Sequence, residues 1–145
     1  MKRVYFSTIN AVQMEHKVEQ TLSVHVRWED EEETILLLEF SGAWTTEDYL
    51  NAAEEARQLI LGKPYRVCLI SSFEPNQMLP QGFLIKVYKF QRQIPPNQSL
   101  NVVVGNSPFV RSVFSVLQKV TARTGGRIRL VNTLEEARVL CGMSA

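Results

Sequence analysis

Polar and apolar positions along this chain alternate between two rhythms. In TLSVHVRW, residues 21–28, Leu22, Val24, Val26 and Trp28 alternate with Ser23, His25 and Arg27. A period of two puts the apolar set on one face of a half-exposed strand. ILLLEF, 35–40, is apolar almost throughout, which predicts a strand lying deeper in a sheet. A charged run, 29–33, separates the two, so together they read as a hairpin. RVCLIS, 66–71, LNVVV, 100–104, and RIRLV, 127–131, are three further short apolar strands bounded by turn residues.

Between these strands the period lengthens to that of a helix. Thr45 is placed to cap a helix whose first turn holds Asp48, where a negative charge suits the helix dipole. Tyr49, Ala53, Ala56 and Ile60 form its apolar face, and Gly62 and Pro64 end it. A second helix is predicted over 81–94, opened by Pro80-Gln81-Gly82, with Phe83, Val87, Phe90 and Ile94 in its core stripe. A third runs from Pro108 to about Arg123 after a Ser107 cap, with Phe109, Val110, Val113, Val116, Leu117 and Val120 as its buried side. Thr133 and Glu136 make a capping box for a last helix that turns Leu134, Ala137 and Cys141 inward.

The resulting order, β-β-α-β-α-β-α-β-α, predicts an α/β fold. Its sheet is mixed but mostly parallel, with an N-terminal antiparallel hairpin and about four helices. Residues 21–145 form a single domain and residues 1–20 an arm or an extra edge strand. At 145 residues the chain is long enough for one sizeable core. The stretch 66–94 (strand, loop and amphipathic helix) is its predicted centre.

Composition changes this picture in two places. Net charge is only +1, but residues 1–62 hold 5 Lys/Arg and 12 Asp/Glu, while residues 63–145 hold 11 and 3. Most of that asymmetry reads as solvated faces, yet it also suits an acidic partner, or a self-complementary homodimer, docking on the basic half. The basic helices lack aromatic interleaving, so no nucleic-acid partner is expected. The two cysteines, Cys68 and Cys141, lie far apart and read as small buried hydrophobes, not as a disulfide or a metal site. The N-terminal apolar run is too short for a signal peptide, and nothing approaches a membrane span, so the cytoplasm is the expected compartment.

The stretches LLLEFSGAW with TTEDY, CLISSF, LPQGFL, VVVGNSPFVRSVF and RLVNTLEEARVL, in this order, resemble the STAS domain. That is the fold of bacterial anti-sigma-factor antagonists, with a broader STAS- or SEC14-like group around them. The likeness spans about residues 22–142 and implies a non-enzymatic protein-interaction module in bacterial signalling. In that family the second helix opens at a serine whose phosphorylation repels the partner. Matching on glycine sets Gly82 at the motif glycine and Gln81 at the phosphorylated serine. Gln81 has no hydroxyl, so the resemblance implies a module not switched at that position. Ser71 and Ser72 are then the candidates for a displaced phosphosite.

On the second helix, Ile85, Tyr88 and Arg92 fall opposite the core stripe, with Leu84 at its margin. With Gln81 and Gly82 they are the candidate partner-binding residues, and the partner is a protein whose identity the sequence does not supply. The alternative, from the SEC14-like side of the resemblance, is a small apolar ligand or lipid held between helices and sheet. A hydrolase using Ser71 or Ser72 is disfavoured, because no histidine follows His25 and no nucleophile-elbow motif is present. Gly105-Asn106-Ser107-Pro108 reads as a plain helix cap. No cofactor, metal ligand set or catalytic residue is assigned.

Overall fold

The computed structural model describes residues 23–75, 77–90, 93–122 and 127–144. The expected arm at 1–20, the start of the first strand, Arg92 and the Gly125-Gly126 break lie outside them. Among the described residues, five strands form one sheet in the order β1-β2-β3-β4-β5. They are β1 (Val24–Trp28), β2 (Ile35–Phe40), β3 (Val67–Phe73), β4 (Gln98–Val104) and β5 (Ile128–Val131). Four helices among the described residues complete the fold: α1 (Thr46–Leu61), α2 (Phe83–Phe90), α3 (Pro108–Thr121) and α4 (Leu134–Ser144). β1 and β2 pair antiparallel as the expected hairpin, and every later pairing is parallel. β3 is the middle strand, as the sequence predicts.

The alternation of side chains explains why β2 is apolar throughout. Leu36, Leu38 and Phe40 point to one face, where Ala52, Ala56 and Ile60 of α1, Phe83 and Val87 of α2, and Val110, Phe114 and Leu117 of α3 cover them. Leu37 points to the other, joining Cys68, Ile70, Val102 and Val104 beneath Ala137 and Cys141 of α4. Both sides of the strand are buried, so both registers of its period are apolar. Sequential strand order with α1, α2 and α3 on one face is what successive right-handed crossovers give.

The caps expected at Thr45 and Thr133 form, and the one expected at Ser107 does not. Thr45 Oγ1 accepts from the Asp48 amide at 3.0 Å, and Asp48 accepts from the Thr45 amide at 2.9 Å. Thr133 and Glu136 repeat that exchange at the start of α4, at 3.1 and 3.0 Å. Ser107 precedes α3 with Pro108 inside it, but its side chain makes no capping bond.

Two expectations are corrected. Cys68 and Cys141 are buried, as expected, but they are joined: they form a disulfide from β3 to α4, with a Cα–Cα distance of 5.6 Å. Their 73-residue separation hid the pairing, because only the folded sheet brings α4 over β3 and the two Cα atoms within bridging distance. On α3, Phe109, Val116 and Val120 are exposed, at 50%, 50% and 41%, not buried. The side that packs is Val110, Phe114, Leu117 and Thr121. Phe114 fills the place expected of them because the apolar residues of this helix cover a wedge wider than the sheet can bury.

Candidate functional site

The carboxyl ends of β2 and β3 meet at one rim, where two loops are stitched together. Gly42 follows β2 with φ +63°, a left-handed conformation that suits glycine. Its N–H donates to the Glu74 carboxylate at 2.9 Å, and its carbonyl accepts from the Gln77 side-chain amide at 2.9 Å. Glu74 and Gln77 thereby tie the loop after β3 to the loop after β2. Below the rim lies a group of aromatic rings. Phe40 stacks on Phe73 at 4.3 Å, Trp44 meets Phe83 edge-on at 5.3 Å, and Phe73 and Phe83 both reach Phe114. Rings of this size in contact fix the backbone that carries them, so α2 starts from a firm base.

Pro80-Gln81-Gly82 is a turn before the helix, not its first turn. The Phe83 amide donates to the Pro80 carbonyl at 3.1 Å and Gly82 has φ +80°, the pattern of a type II turn. Gln81 and Gly82 are both exposed on it. Among the helix residues expected to bind a partner, Ile85 is 61% exposed and Leu84 lies at the margin. Tyr88 departs from its expected place: it is half-buried and packs against the core. Arg92 lies outside the described residues. Sequence reasoning missed Met78, which is 75% exposed in the loop, because a lone methionine in a polar loop has no periodicity to mark it.

Ser71 and Ser72 point to opposite faces. Ser71 is buried beneath the helices and donates to Asn101 Oδ1 at 3.2 Å. A kinase would reach it only after the helices opened. Ser72 is half-buried on the other face, in an open groove of about 470 Å³ shared with His25, Glu39, Ser41 and Glu74. His25, Glu39 and Ser72 are registered neighbours across β1, β2 and β3. The acid stands in the middle of this row and accepts from Arg27 at 3.1 Å. A proton relay needs the base next to the nucleophile, and here the histidine is one strand too far.

Between α1, α2 and the sheet is a cavity of about 40 Å³, lined by Tyr49, Arg57, Ser71, Phe90 and Asn101 among others. Ligand pockets run to hundreds of cubic ångströms, so this space suits ordered water and not an acyl chain. Burial pushes the Tyr49 phenol up, which keeps it neutral. Among the described residues no His/Cys/Asp/Glu group is arranged to hold a metal ion, and no helix is long and apolar enough to cross a membrane. No protein-family model matches the chain, and no curated protein matches it significantly.

Proposed function

We propose that this chain is a STAS-like, non-enzymatic protein-interaction module of bacterial signalling, docking its partner on the rim formed by the loop after β3 and by α2. The observation that carries the reading is the exposure of Met78, Leu84 and Ile85 beside a turn held from below by the aromatic cluster. Exposed apolar side chains on a fixed backbone bind with little ordering cost. Glutamine at position 81 leaves this surface permanently available, without a phosphate to close it. In the cytoplasm proposed for it, a bridge such as Cys68–Cys141 is commonly transient. Alkylation of freshly lysed cells, followed by thiol counting, tests that placement.

Affinity capture from the native host with the wild type and with Gln81→Glu tests the function. A negative charge at the turn weakens capture of a specific partner. Equal recovery of the same proteins by both baits removes this turn from the interface.

A further inference from the structure

Helix α3 carries two apolar stripes and buries only one. Val110, Phe114, Leu117 and Thr121 face the core. Phe109, Val113, Val116 and Val120 form the second stripe at spacings of four, three and four, the spacing of a coiled-coil seam. Three of these four are 41–50% exposed. The opposite flank is fixed against β5 and the turn that follows it. Gln118 donates to the Ile128 carbonyl at 2.8 Å, and Arg111 donates to Asn132 at 3.0 Å. The open stripe therefore looks toward α2.

α2 answers it. Its Phe90 edge meets Tyr49 of α1, so the opposite edge, with Leu84 and Tyr88, looks toward α3. Ile85 stands at the crest. The two helices thus bound an apolar trough on the outside of the molecule, roughly 20 Å long at α3's 14 residues.

The charge around the trough has one sign. From Pro75 to Leu134 the chain has 8 Lys/Arg and no Asp/Glu. Lys89 and Lys119, on the outer crests of α2 and α3, are exposed, and neither forms an ion pair among the described residues. A symmetric second copy would bring these lysines together. The acidic helix α1 of a second copy has the right charge but shows only Leu61 as an exposed large hydrophobic.

We propose that the trough receives an acidic amphipathic helix of a partner protein. Its apolar seam would lie between α2 and α3 and its Asp/Glu flanks against the lysines. The proposal rests on the docking reading above and names the kind of partner. The probe is a synthetic helix of about 18 residues with a leucine seam and glutamate flanks, titrated against the full chain by fluorescence anisotropy. Controls are the same peptide with lysine flanks and vesicles containing about 30% phosphatidylserine. The glutamate peptide binds and the lysine peptide does not. Val116→Asp weakens binding about tenfold or more, and added salt weakens it further. Phe109→Ser, which removes apolar area without adding charge, gives the same direction if Val116→Asp melts early.

Equal binding of both peptides, no binding of either, or no effect of the two variants overturns the proposal. Vesicle binding lost in Val116→Asp, without peptide binding, assigns the trough to anionic membranes instead. If Val116→Asp still captures the host partner while Gln81→Glu does not, the trough proposal fails and the rim reading stands. If neither variant changes capture, both fail.

Discussion

Asn97 shows how much one side chain can hold. It sits in the turn before β4, and its amide donates to the Ile60 carbonyl at 2.7 Å and the Tyr65 carbonyl at 3.0 Å. Its own carbonyl accepts the Val67 amide at 2.8 Å. One residue thus closes the end of α1 and sets the start of β3 beside β4. The Asn97→Ala variant keeps the backbone bond and removes the side-chain donor from the Ile60 and Tyr65 carbonyls, so it should lower stability by about 1 kcal/mol, read from a urea midpoint. Asp30 plays a similar part in the hairpin. Burial acts to raise its carboxyl, but the Thr34 hydroxyl and the Thr34 and Ile35 amides more than offset this and hold it below its ordinary value. A depressed folded pKa contributes stability above the unfolded value and loses it as pH falls through the folded one. Asp30→Asn is therefore expected to be less stable than wild type at pH 7, with the gap closing below about pH 4. A gap of the same size at pH 3 would show that the charge is irrelevant there.

At the scale of elements, most of the fold was legible because period and burial coincide. β2 and β3 read as buried runs because both their faces are covered. The capping pairs at Thr45 and Thr133 were readable because a cap is local in sequence. Thr45→Ala tests the first, with an expected loss of about 1 kcal/mol in the thermal or urea transition. What was not legible depends on neighbours. The sequence of α3 shows seven apolar positions but cannot say which side meets the sheet, so Phe109, Val116 and Val120 were expected inside. The turn at Pro80-Gln81-Gly82 was read as a helix start because proline and glycine suit both. Only the positive φ of Gly82 separates them. The candidate site was half legible for the same reason. Ile85 follows from the helical wheel, whereas Tyr88 moved inward and Met78 has no pattern at all.

Across the whole molecule the two faces of the sheet are held differently. Three helices and the aromatic cluster cover one, and among the described helices α4 alone lies on the other. The Cys68–Cys141 bridge ties that helix to the central strand near the end of the chain. It closes a loop across a 73-residue separation and so constrains the unfolded chain, and bridges of this kind typically stabilise by about 2–4 kcal/mol. The double variant Cys68→Ala/Cys141→Ala should unfold at lower urea than oxidised wild type by that amount. Reductant should bring wild type down close to the variant and leave the variant unmoved. The proposed trough lies across the sheet from the bridge, so peptide binding there should survive reduction wherever the chain stays folded. Coincident loss of the bridge and of peptide binding, below the unfolding transition, would mean that the two faces of this sheet are coupled and that α4 supports the docking surface it does not touch.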